Sequence, residues 1–217
     1  VNAAGETVPM TLDQDSRWQL EQLALMDFED KTGACESGTP DTHMELTGTV
    51  PSGEYKGLSF ELGVPFDMNH QDVTKAASPL NLTSMFWVWR SGYKFARIDF
   101  ATTGVPQGYF IHLGSTGCTG MASDANAQAG TAAMDKMPAM GEHTMQVKAE
   151  TAHDMGSESR TTPPMQCSQP NRSQIVLPDF NPDTDVVVAD LGQMLKDVNI
   201  DTNVADTPSG CMSGMDD

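Results

Sequence analysis

Residues Met85–Phe100, MFWVWRSGYKFARIDF, decide how the chain is read. Side chains on a strand alternate between the two faces of a sheet. Over Met85–Arg90 that alternation puts Met85, Trp87 and Trp89 on one face and Phe86, Val88 and Arg90 on the other. Ser91-Gly92 is a turn signal, and Tyr93–Phe100 returns as a second strand. Aromatic residues in strands are mostly core, so the residues alone predict a core hairpin with both tryptophans packed inside. A sharper alternative is that two histidines and a tryptophan-derived group meet at one metal. The surroundings favour asking that question. The chain has three tryptophans and five histidines, and Gly63–Cys118 holds Trp87, Trp89, His70, His112 and Cys118.

Further strand candidates flank the hairpin: Leu23–Phe28, Met44–Val50, Tyr55–Val64, Tyr109–Leu113, Ile175–Leu177 and the strongly β run Val186–Ala189. One helical turn is expected around Val73–Ala77. A short helix is expected over Leu191–Val198, with Leu191, Met194, Leu195 and Val198 on one face. Short strands separated by turn residues predict a mostly-β chain, a single-domain antiparallel β-sandwich spanning 1–217 with long loops. Residues from about 119 to 166 break the pattern. They are rich in Ala, Gly, Ser, Thr and Met without apolar periodicity, which marks a low-complexity insert.

The net charge of −18 argues against nucleic-acid binding, which needs a basic footprint, and against docking on anionic lipid. No run of about 18 apolar residues is present to span a membrane. The four cysteines, Cys35, Cys118, Cys167 and Cys211, form no CxxC pair. Wide spacing suits disulfides in an oxidising compartment. Cys118–Cys167 is the favoured bridge because it would staple the base of the insert. Cys35 and Cys211 are left to pair with each other or with partners elsewhere.

The strings GVPFDMNHQD (63–72), PLNLTSMFWVWRSGYKF (79–95) and HLGSTGC (112–118) closely resemble the MbnP family, the four-cysteine proteins of the metallo-mystery pair. LALMDFEDKTGAC (23–35), GTVPSGEYKGLSFELGVPF (48–66) and GCMSG (210–214) look like that family too, in the same order. Family members carry one further strand and a cysteine before this point and a short cysteine-containing tail after it, so the resemblance implies more sequence at both ends. It also implies a protein that binds a single copper ion through histidines and a kynurenine, which a dihaem peroxidase-like partner, MbnH, makes from tryptophan. Carried onto this chain, His70 and His112 are the expected ligands and Trp87 or Trp89 the expected modified residue. Trp18, in another family-like string, is a weaker third choice. Met85 is a conceivable soft neighbour, although core packing suits it better.

The chemistry is coherent. Neutral imidazole suits copper. Indole offers only an N–H donor, whereas ring opening yields an amine and a ketone. In the insert, Met134, Met137, Met140, His143 and Met145 stand at nearly regular spacing among helix-breaking residues. Thioethers select Cu(I), so these residues are a candidate second site, weighed equally against an insertion with no metal role. Neither GxSxG, HExxH, a Walker loop nor an EF-hand loop occurs. The expectation is therefore a periplasmic or secreted copper-binding protein, with a lipid anchor to the outer membrane as a further option, that acquires, stores or transfers copper and is not an enzyme. The alternatives are a copper-dependent oxidative enzyme and a structural or adhesive β-sandwich without metal.

Overall fold

The computed structural model describes residues 1–33, 38–88, 90–119 and 163–213. Twelve strands fall among them: β1 (Thr11–Leu12), β2 (Gln19–Leu20), β3 (Leu23–Ala24), β4 (Gly48–Thr49), β5 (Leu58–Leu62), β6 (Phe86–Val88), β7 (Gly92–Phe100), β8 (Tyr109–Gly114), β9 (Thr116–Thr119), β10 (Gln166–Gln169), β11 (Ser173–Leu177) and β12 (Gly210–Met212). Two short helices join them, α1 (Phe66–Asn69) and α2 (Leu191–Leu195). The architecture is the expected mostly-β sandwich. Antiparallel pairs β1–β4, β2–β3, β5–β11 and β9–β10 surround a four-stranded sheet in the order β12-β8-β7-β6. One pairing departs from the antiparallel expectation, since β12 runs parallel to β8.

The core sits under the predicted hairpin. Val64, Met68, Leu80, Tyr93 and Phe95 are buried together, with Met85, Phe86 and Leu113 packed against them. Phe86 lies opposite Tyr93 in the ladder, with ring centroids 5.1 Å apart. The Tyr93 hydroxyl donates to the Leu80 carbonyl. Burial pushes this phenol up to about 12, so it stays a neutral donor.

The face assignment of the tryptophans changes here. Phe86 takes the core side of β6, and Trp87, at the register shift between Phe86 and Val88, lies half-buried against Gly114 on the outer face. Met85 ends a 3₁₀ turn (Thr83–Met85) and packs on the core, away from the face of Trp87. Trp89 lies outside the described residues. Trp18 is the tryptophan that is buried, stacked on the His43 ring with centroids 5.6 Å apart.

A β-bulge sets the rest of the outer face. The β7–β8 register runs Lys94↔Gly114, then Ala96↔Leu113 and Arg97↔His112. One extra residue in β7 leaves Phe95 buried and places Ala96 opposite the core-packed Leu113. The parity then shifts, so Lys94, Arg97 and Asp99 share the outer face with Gly114, His112 and Phe110.

One strand expectation fails. Val186–Ala189 forms no strand, and Val186, Val187 and Val188 are 82%, 52% and 73% exposed. The flanking aspartates hold local turns instead: Asp185 accepts from the Asn181 N–H and Asp190 caps α2 through the Gln193 N–H. The apolar side of α2 is likewise uncovered, with Met194 52% exposed. The single helical turn expected around Val73–Ala77 is present, closed by the Lys75 and Ala76 N–H groups on the Asp72 carbonyl, and α1, begun by Pro65, precedes it.

Cys118 and Cys167 face each other across β9 and β10 and form the expected disulfide at the base of the insert. Cys211, on β12, has a free and exposed thiol, and the partner expected for it, Cys35 or a cysteine elsewhere, is not among the described residues. Cys35 lies outside the described residues.

Candidate metal centre

His70 follows α1 directly, at the point where Pro65-started helical backbone gives out. It is buried, as is Asn69 before it. Asn69 fixes the local chemistry. Its Oδ1 accepts the Tyr93 N–H at 2.8 Å, so its Nδ2 is the donor end. That amide approaches Ser115 Oγ at 3.5 Å and His70 Nε2 at 3.2 Å. A donor facing Nε2 assigns the lone pair to Nε2 and the ring proton to Nδ1. Ser115 in turn donates to the Pro170 carbonyl at 2.9 Å. Gly92, at φ 74°, is required for this arrangement, because a Cβ there would lie 2.4 Å from Asn69 Oδ1. His70 Nε2 also stands 3.5 Å from Cys167 Sγ.

His112 is built differently. It is on the outer face of β8, and its Nε2 donates to Asp99 Oδ1 at 2.6 Å. The other Asp99 oxygen holds Arg97 Nε at 2.7 Å. His112 Nδ1 makes no hydrogen bond among the described residues and carries the lone pair. Two residues on, Gly114 clears space for Trp87: a Cβ built there would meet the indole at 2.4 Å. The ring therefore lies on the His112 face of β8, one pleat away. Lys94 Nζ is 5.4 Å from the indole centroid and donates to the Ser84 carbonyl at 3.1 Å. Burial, and then the charge of Arg97, lower the Lys94 ammonium from its usual value, while Asp99 opposes them.

The two halves join at one dipeptide. Gly114 lies under Trp87 in the His112 half, and Ser115 contacts Asn69 in the His70 half. The model of the MbnP family matches residues 6–213. The chain belongs to the MbnP family. Among solved structures, MbnP from Methylosinus trichosporium matches it with a TM-score of 0.66 and 26% identity, over 98% of this chain and 67% of that one. No curated protein matches. Membership suggests a protein of a methanobactin-related copper system.

In this MbnP chain the expected residues separate into three groups. Trp87 lies against Gly114, two residues along β8 from His112, and His70 is linked to Ser115 through Asn69. Trp89 and the methionine-rich cluster Met134, Met137, Met140, His143 and Met145 lie outside the described residues. Trp18 is elsewhere, sandwiched between His43 and the Arg17 guanidinium, which stands 4.8 Å from the indole centroid. Sequence reasoning missed Asn69 and Asp99, the residues that orient the two imidazoles. Asn69 had a signal, since an amide directly before a candidate ligand can reach its ring. Asp99 had none, because its position opposite Phe110 and beside His112 depends on the bulge.

Proposed function

We propose that this MbnP-family chain is a periplasmic or secreted copper-binding protein that acquires, stores or hands on copper and does not turn over a substrate. One copper is held by His70, His112 and a kynurenine made from Trp87 by a dihaem MbnH-like partner. The observation that carries this reading is the Asp99–His112 pair beside Trp87. A metal-ligating histidine characteristically donates its second ring nitrogen to a carboxylate, which fixes the tautomer and raises ligand basicity. Asp99 does this at 2.6 Å and leaves Nδ1 as the ligand atom. His70 offers its Nε2 lone pair once Asn69 yields that contact. Two neutral imidazoles and the amine or ketone of an opened indole form a donor set suited to copper.

Competition against a copper chelator tests the site. His112→Ala should lose affinity by more than about a hundredfold, beyond the 10–100-fold typical of outer-shell changes, with an unchanged melting temperature. Full affinity in that variant would remove the site. Mass analysis of the tryptic peptide Ala76–Arg90 from protein co-produced with its dihaem partner tests the modification. A kynurenine at Trp87 is expected, and two intact tryptophans in that peptide would rule it out.

A further inference from the structure

The geometry points to a second metal site that reduction opens: Cys118, Cys167 and His70 forming a Cys2His centre for a thiophilic closed-shell cation, Cu(I) or Zn(II). The His70 nitrogen and the two sulfurs all lie within 4.8 Å of one another. As a disulfide, the sulfurs are bonded to each other and offer no thiolate, so the centre is closed in this state. The separations are nonetheless close to those of a ligand set. Metal–nitrogen and metal–sulfur bonds of about 2.0 and 2.3 Å at tetrahedral angles put nitrogen and sulfur about 3.5 Å apart. His70 Nε2 and Cys167 Sγ are already 3.5 Å apart. The sulfurs must separate from bonding distance to about 3.8 Å, with Cys118 Sγ already within 4.8 Å of the imidazole.

Three features favour that motion over collapse. The strands hold the cysteines in place without the bond, since Gln166↔Thr119 and Gln169↔Thr116 flank Cys167↔Cys118 in the β9–β10 ladder. The His70 lone pair is on Nε2, the nitrogen nearest Cys167. Cys118 and His70 are 8% and 6% exposed, so the centre is largely shielded from water. The Asn69 amide, which donates to Nε2, keeps its Tyr93 and Ser115 contacts when the metal takes that lone pair.

The chemistry balances with a dithiol reductant. Its two thiols close to a disulfide and supply two electrons and two protons, the Cys118–Cys167 bond breaks, and both cysteines become thiols. Metal binding then releases protons from those thiols to solvent. This site shares only His70 with the copper site proposed above. One imidazole cannot serve both through the same lone pair, so reduction withdraws a ligand from copper held with His112.

Full-length protein in a Cys35→Ser/Cys211→Ser background is reduced, freed of reductant anaerobically and titrated with Co(II) as a spectroscopic stand-in. One equivalent should give a thiolate-to-cobalt charge-transfer band in the reduced parent and in reduced His112→Ala. The oxidised protein and Cys118→Ser/Cys167→Ser should give none, and His70→Gln should weaken cobalt binding at least about tenfold. A reduced parent without the band, an unaltered affinity in His70→Gln, or loss of the band in His112→Ala would each overturn the proposal. If reduction unfolds the chain, Co(II) must restore its native circular dichroism, and failure to do so overturns it equally. Loss of copper binding in oxidised His112→Ala with a retained cobalt band separates the two sites.

Discussion

His70 and His112 both connect to the Gly114–Ser115 dipeptide, one through Asn69 and the other along β8, yet the chain holds them by opposite means. Among the described residues His70 is buried against an amide, a phenyl ring at 4.7 Å and a disulfide. His112 is on the outer face, where charges meet: the Asp99 carboxylate, the Arg97 guanidinium and, near Trp87, the Lys94 ammonium. The amide that orients His70 also caps the Tyr93 N–H and so helps hold the core. The carboxylate that orients His112 lies on the solvent side of the sheet and holds no core residue. Changes around His70 should therefore register first as stability, and changes around His112 first as affinity.

The largest expected effect is at the disulfide. Closing a loop of 49 residues contributes about 4 kcal/mol in the chain-entropy account. Cys118→Ser/Cys167→Ser should lower stability by about that amount in denaturant melts. A loss below about 1 kcal/mol would show that the His70 half stands without its staple.

The next effect is read by pH. Unfolded tyrosine titrates near its ordinary value of 10.0, whereas Tyr93 in the fold titrates near 12. The folded state thus keeps a proton that the unfolded chain loses. Stability should be level below pH 10, fall by about 1.4 kcal/mol per unit towards pH 12, and level off above it. Tyr93→Phe should flatten that fall, measured by chemical unfolding across the range. A slope unchanged by Tyr93→Phe would place the titrating group elsewhere.

The smallest effects give the sharpest contrast. Asn69→Ala strands the buried Tyr93 N–H and should cost about 1–3 kcal/mol of stability. Asp99→Asn keeps an acceptor for His112 but removes the charge, and should weaken copper binding about 10–100-fold with little change in melting temperature. The comparison fails if Asp99→Asn proves the more destabilising of the two in thermal melts.

Much of this was legible in the chain. Alternation over Met85–Phe100 located the hairpin, and the compositional change after Cys118 located the bridge that closes on Cys167. The tryptophan face was misread because Phe86, not Trp87, pairs with Tyr93 on the core side, and no single-strand pattern shows which partner a ring will meet. Met85 was misplaced because a 3₁₀ turn breaks the alternation just before the strand. Val186–Val188 had β propensity but found no ladder partner among the described residues, since propensity measures fit to a sheet that must first be present. The candidate ligands were visible as residue types. Of their orienting partners, Asn69 stood in the sequence directly before His70, whereas Asp99 was hidden because it meets His112 across a ladder.

The extra residue in β7 has a further consequence. The strand keeps two alternation frames, one before the bulge that buries Tyr93 and Phe95, and one after it that turns Arg97 and Asp99 outward beside His112. Straightening the bulge while keeping every residue would act on this sheet as a frameshift acts on a message. Everything upstream would read as before, while downstream Ala96 would face the imidazole and Arg97 and Asp99 would turn inward. The chemistry of the outer face is thus encoded as much by where the count slips as by which side chains follow.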